Sequence, residues 1–123
     1  DEGMRGWGGE NLDQSMRMWL CGGEIVRAES SRIAHMWRVG DWRTRSRYFV
    51  RAWPTNNRGR VAAAWFDEFL PAFRGKAVPE EKVQNFEPVK RRLGCRPFSY
   101  FLYRFRRIYI DGGVVAESVF QLR

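Results

Sequence analysis

Leu12, Met16, Trp19 and Leu20 recur at i, i+4, i+7 and i+8 within the stretch ENLDQSMRMWLCGG, the apolar stripe of an amphipathic helix. Polar residues fill the positions between them, and Cys21-Gly22-Gly23 supplies a glycine stop. Residues 3–9 precede this stripe with glycines and a tryptophan but no period, which predicts a loop. Glu10, Asn11 and Asp13 then fall at the start of the helix, where polar and negative groups complement the positive end of its dipole.

At residue 24 the pattern changes. Residues 24–29, EIVRAE, are short and β-branched, which predicts a strand, and residues 30–38 carry it on as extended chain. Residues 40–54 have no clear period and read as a basic, aromatic loop. Asn57 suits an N-cap for a helix over residues 58–69, with Val61, Ala64, Trp65 and Phe69 on one face and Pro71 ending the run. A polar connection over residues 74–85 leads to two short helices, at 88–93 with Gly94 as its stop and at 97–105, each with proline where a first turn tolerates it. Residues 108–122 mix β-formers with Gly112-Gly113. The expected fold class is α/β.

Composition narrows the picture. At 123 residues the chain is one domain with a modest core, and 44% hydrophobic with 15% aromatic residues is too apolar for a disordered chain. The longest apolar run, residues 61–66, falls far short of the roughly 20 residues that a spanning helix needs, so no membrane segment is expected. No basic-then-apolar leader opens the sequence, and its first residue is Asp1 rather than methionine, which leads us to expect a processed product or a piece of something longer.

The formal charge is +8, concentrated in Arg43-Thr-Arg45-Ser-Arg47, Lys90-Arg91-Arg92 and Arg104-Phe-Arg106-Arg107. Phosphates of a nucleotide, nucleic acid, anionic lipid or an acidic protein would all satisfy that balance. Charge does not choose among them.

The order of the motifs is more specific. DEGMRGWGGENLDQSMRMWLCGG, then SSRIAHMWR, NNRGRVAAAWFDEF and VKRRLGCRPFSYFL, resemble the C-terminal part of the catalytic domain of polypeptide N-acetylgalactosaminyltransferases over about residues 1–105. Those enzymes start mucin-type O-glycans on Ser and Thr. The resemblance implies a GT-A-type α/β domain: a nucleotide-binding half bearing an Asp-x-His metal motif, the acceptor-side half to which this chain corresponds, and usually a lectin domain. Residues 1–123 are therefore expected to be a partial catalytic domain of a retaining transferase, without the nucleotide-binding half or the lectin domain and inactive in isolation. The donor would be UDP-N-acetylgalactosamine, the acceptor a Ser/Thr-containing polypeptide, and the compartment the Golgi lumen.

The resemblance also assigns residues. Trp7, Gly8, Gly9, Glu10 and Asn11 match a Trp-Gly-Gly-Glu-Asn motif whose Trp lines the active site and whose Glu binds hydroxyls of the donor sugar. The chemistry is compatible, since a sugar offers hydroxyls to a carboxylate and C–H faces to an indole while glycines permit close approach to backbone. Read without its flanks, the same pentapeptide is equally a glycine turn ahead of a helix. His35 matches a histidine that joins Asp-x-His around a manganese ion on the donor diphosphate, although one histidine by itself is a structural imidazole more often than a ligand. Arg38 matches an arginine on the diphosphate, where a guanidinium stabilises the charge of the leaving group.

Cys21 and Cys95 lie where family cysteines pair, while Ser30 replaces one that ties this half to the upstream half. The pairing implies a disulfide and a secretory compartment. After Arg38 the sequence departs from the family, reading VGDWRTRSRYFVRAWP in place of a mobile lid, with Asp41 and Arg43 at the positions of two nucleotide-touching residues. That departure supports an alternative: a catalytically inactive relative that binds a peptide or a partner. A basic nucleic-acid binder ranks last, because no nucleic-acid motif accompanies the charge.

Overall fold

The computed structural model describes residues 1–35, 42–43, 55–76 and 78–114. Among the described residues lie the helices α1 Glu10–Leu20, α2 Asn57–Trp65, α3 Glu87–Leu93, α4 Phe98–Arg104 and α5 Arg106–Asp111, with 3-10 turns at Asp67–Ala72 and Glu80–Lys82. Helix α1 packs on both α2 and α4.

The stripe on α1 does part of what its spacing predicts. Leu20 is buried in the core with Val61, Ala64, Trp65 and Phe86, and Met16 packs against that cluster. Leu12 instead stays exposed. Around this nucleus runs a chain of rings, with Phe66 stacked on Phe98 at 4.4 Å, Phe98 on Phe101 at 5.8 Å, Phe101 tilted on Phe105 at 4.7 Å, and Phe105 edge-on to Trp19 at 5.0 Å. The offset and edge contacts that aromatic quadrupoles favour thus tie α4 back to α1.

The covalent tie lies in the same place. Cys21 and Cys95 form a disulfide with Cα atoms 4.0 Å apart, closer than the usual range of about 4.4 to 6.8 Å. Beside it the Arg96 amide donates to the Leu20 carbonyl at 2.8 Å, so the end of α1 and the turn between α3 and α4 are joined twice.

Three sequence expectations need correction. Asn56, not Asn57, caps α2, accepting from the Gly59 amide at 3.1 Å, because the Asn57 side chain is buried and committed elsewhere. The helix ends at Trp65 rather than Phe69, since Asp67 adopts φ of +46°. Its carboxylate there accepts from the Phe98 amide at 2.9 Å and pairs with Lys90 at 3.4 Å, placing a negative group at the start of α4.

The third correction is the strand over residues 24–29. These residues form none, and no strand occurs among the described residues. An extended segment leaves its N–H and C=O groups without intrasegment partners, so it becomes a strand only beside another strand. Here no described segment lies in register with it. Val26 is 80% exposed and Ile33 89% exposed in consequence. Of the stretch 108–122, the β-formers at 108–110 lie in helix α5 instead, closed by bonds from Gly113 to Ile110 and from Val114 to Tyr109, with Gly113 at φ +66°; residues 115–122 lie outside the described residues.

Candidate functional site

Gly8 and Gly9 sit at φ of +93° and +92°, a region that side chains with a Cβ rarely enter. Gly9 is the N-cap of α1, and its carbonyl accepts the helix-starting bond from Asp13 at 3.0 Å. A Cβ placed on Gly9 would meet the Cβ of Asn57 at 2.6 Å, so the first turns of α1 and α2 touch at this glycine.

Asn57 anchors the contact. Its amide donates to the Gly8 carbonyl at 2.6 Å and to the Arg5 carbonyl at 3.1 Å, while its Oδ1 accepts from the Arg5 amide at 3.3 Å and from the Thr55 hydroxyl. Thr55 adds a second layer: its Oγ1 accepts from the Arg5 amide at 3.0 Å and its own amide donates to the Arg5 carbonyl at 3.1 Å. The loop carrying Trp7 is therefore fixed on both sides of the tryptophan.

Deeper in the molecule, buried Asp13 sets how α1 lies on α2. Its carboxylate accepts from the Trp65 indole N–H at 2.8 Å and from Arg17 at 2.8 Å. Arg60, one turn into α2, grips the buried Asp1 carboxylate with two bonds of 2.7 and 2.9 Å.

Between these two helix starts opens a cleft of about 610 Å³ lined by residues 7–12 and 55–58. Trp7 presents its indole with 79% of the residue exposed, and Glu10, Asn11 and Arg58 present exposed polar groups. An apolar platform, glycines without side chains, a carboxylate, amides and a guanidinium form a surface suited to a polyhydroxylated ring, with C–H faces against the indole and hydroxyls donating to the carboxylate. The structure thus brings together Trp7, Gly8, Gly9, Glu10 and Asn11 from the sequence motif. It adds Leu12 and residues 55–58, which sequence reasoning missed. The missed signal was the doubled asparagine at 56 and 57: a helix uses one N-cap, so a second asparagine beside it has another task.

Other predicted residues lie elsewhere. His35 stands exposed at the end of the extended segment and does not line the cleft. Arg38 and Asp41 lie outside the described residues, as does most of the segment that departs from the family's lid. Arg43 is described, with its guanidinium 5.6 Å from the centre of the Trp42 ring. Among the described residues no group of three His, Cys, Asp or Glu side chains could hold a metal ion. The described residues therefore do not make up a manganese site by themselves; among them His35 offers one ligand of such a set. No helix among the described residues is long and apolar enough to cross a membrane.

Comparison with known proteins assigns this chain to a glycosyltransferase domain. More specifically, the chain belongs to the polypeptide N-acetylgalactosaminyltransferase family. It is 31% identical over 111 residues to polypeptide N-acetylgalactosaminyltransferase 8 of Drosophila melanogaster, covering 83% of this chain and 19% of the relative. To human polypeptide N-acetylgalactosaminyltransferase 18 it is 32% identical over 132 aligned positions, covering 98% of this chain and 21% of the relative. The inactive polypeptide N-acetylgalactosaminyltransferase-like protein 5 of Macaca fascicularis is 31% identical over 107 residues, which cover 83% of this chain and 24% of that protein. The chain thus spans about a fifth of the length of the curated relatives it matches. No protein-family model matches it. No solved structure matches it either.

Proposed function

We propose that this chain is the sugar-binding, acceptor-side portion of a retaining GT-A-type transferase that moves N-acetylgalactosamine from UDP-N-acetylgalactosamine to Ser or Thr of a polypeptide. The observation that carries the reading is the cleft, in which Trp7, Gly8, Gly9, Glu10 and Asn11 share one surface. Glu10 accepts hydrogen bonds from hydroxyls of the transferred sugar, Asn11 adds an amide, and the indole of Trp7 covers the ring's apolar face. These contacts hold the anomeric carbon in place while its bond to the diphosphate breaks and a bond to the acceptor hydroxyl forms, a positioning role whose value lies in orientation.

Manganese belongs to the reading as an ion with His35 as one ligand and its remaining ligands outside the described residues; when bound it would supply charge stabilisation for the departing diphosphate. Arg38 would act on the same diphosphate. The α/β, GT-A-type fold belongs to the same reading; within it, a strand over residues 24–29 would need a neighbour from outside the described residues. Residues 1–123 alone are inactive. The Cys21–Cys95 bridge supports an oxidising compartment, in keeping with a secretory, Golgi-lumen enzyme.

The test is transfer to a Ser/Thr peptide by the complete protein in which this chain occurs. With the active wild type as reference, Glu10→Ala should lower kcat/KM by about a hundredfold or more, the scale of losing a group that positions the reacting atoms. Activity indifferent to Glu10→Ala would overturn the site. A second reading, an inactive binding relative, is favoured by the altered segment after Arg38 and by the 31% identity to a protein named as inactive. A complete wild-type protein that binds the acceptor peptide yet gives no transfer with manganese present would select that reading.

A further inference from the structure

Two residues stand between the cleft and the core without themselves reaching far into solvent: Asn57, 5% exposed, and Gly9, also buried. The Asn57 side chain uses both donors and its acceptor on the loop that carries Trp7. The loop residue it brackets is Trp7, which lines the cleft and is 79% exposed. A bulky apolar side chain in that state would fold onto the nearest apolar surface if its backbone were free to turn. Its backbone is not free. The Arg5 peptide is held by Asn57 and Thr55 from both its N–H and its C=O, and the Gly8 carbonyl is held by Asn57, so the two peptides flanking Gly6 and Trp7 are pinned to the start of α2.

We infer that Asn57, with Thr55, is a positioning residue for the sugar site: it holds the Trp7 indole upright at the mouth of the cleft so that a sugar ring can settle against it. This inference deepens the reading of the cleft as a sugar site and rests on it. No other side chain of similar size meets the demands of the position. Aspartate would keep the acceptor toward the Arg5 amide but turn carboxylate oxygens toward the Arg5 and Gly8 carbonyls, replacing two attractions by repulsions. Serine is too short to span both carbonyls. Glutamine adds a methylene where Gly9 already approaches within contact distance of the Asn57 Cβ. The same proximity explains why position 9 takes no side chain: alanine there would both strain φ of +92° and strike Asn57.

The complete protein, labelled with 5-fluorotryptophan, provides the test. The Trp7 resonance is assigned by its loss in Trp7→Phe and the Trp65 resonance by its loss in Trp65→Phe. In Asn57→Asp the Trp7 signal should shift or broaden while the Trp65 signal, whose indole is bonded to Asp13 in the core, stays in place. The KM for the sugar-nucleotide donor should rise about tenfold with a smaller change in kcat. Should Asn57→Asp fail to fold, Thr55→Val removes one hydroxyl without a change in shape, and the same Trp7 shift is expected, reversed in Thr55→Ser. An unmoved Trp7 signal in the folded Asn57→Asp variant, or in Thr55→Val where that variant replaces it, overturns the positioning role. A displaced Trp7 with donor KM unchanged also overturns it, since the loop would then be held for no purpose at the sugar site. Failure of the sugar-site reading itself is seen separately, as donor KM indifferent to Trp7→Phe and Glu10→Ala.

Discussion

Helix α1 and the segment at residues 24–35 follow one another in the chain and both carry large apolar residues, yet only one finds a place in the core. In α1, Leu20 is buried and Met16 and Trp19 are half-buried against rings and helices. In the segment that follows, Ile25, Val26 and Ile33 are all exposed. The difference is one of backbone supply. A helix satisfies its own interior N–H and C=O groups and needs neighbours only for its apolar face, whereas a strand needs a neighbour for its backbone before its side chains can pack. The packed region closes upon itself through a disulfide, a buried carboxylate and a ladder of rings; the segment at residues 24–35 leaves Ile25, Val26 and Ile33 exposed and meets the helices through the Glu24–Arg104 ion pair at 3.9 Å.

The largest way to break this contrast is to open the disulfide. It closes a loop of 74 residues' separation that contains the extended segment, α2 and α3, and the chain-entropy estimate for such a loop is about 4 kcal/mol. Replacing Cys21 and Cys95 together by alanine should lower the unfolding free energy by about that amount, read as the shift in urea midpoint against the oxidised parent. A midpoint shift near zero would mean that the ring ladder and the Leu20–Arg96 bond hold the packed region alone.

A middle effect is expected at Asp13. Asp13→Ala strands the buried Trp65 indole N–H, at a cost of about 2 to 3 kcal/mol for an orphaned buried donor and its lost partners. Arg17, 44% exposed at its side chain, can turn to water and adds little. Asp13→Asn keeps an acceptor for the indole and should cost roughly 1 kcal/mol. Equal losses for the two variants, in the same urea experiment, would show that the charge rather than the indole bond sets how α1 lies on α2.

What could be read from the sequence follows the same division. The α1 stripe, the Gly94 stop of α3 and the proline-led start of α4 are local signals, and the structure has helices Glu10–Leu20, Glu87–Leu93 and Phe98–Arg104 there. The Trp7–Asn11 motif and the Cys21–Cys95 pairing were legible through resemblance, not through local physics. Three features were not legible, each for a non-local reason. The end of α2 depends on Asp67 serving the Phe98 amide 31 residues away. The role of Asn57 depends on the Arg5 and Gly8 carbonyls about 50 residues earlier. The failure of the expected strand over residues 24–29 depends on the lack of a paired neighbour among the described residues, which no local pattern reveals.

The smallest effect sharpens the comparison most, because it should change with context. Val26→Ser and Ile33→Ser remove apolar side chains that are 80% and 89% exposed, so in residues 1–123 they should alter stability by no more than about 0.5 kcal/mol each, the range for surface substitutions. In the complete protein the same positions are expected to lie in a paired strand and the extended chain after it, with their side chains against a neighbouring layer. There each substitution should cost about 1.5 to 3 kcal/mol, the worth of a buried Val or Ile side chain. Urea unfolding of both lengths of chain with both substitutions decides the matter. A large loss in residues 1–123 would mean that the segment packs against the helices described here; a negligible loss in the complete protein would mean that it remains exposed there too, and the expected sheet would have to be built without it.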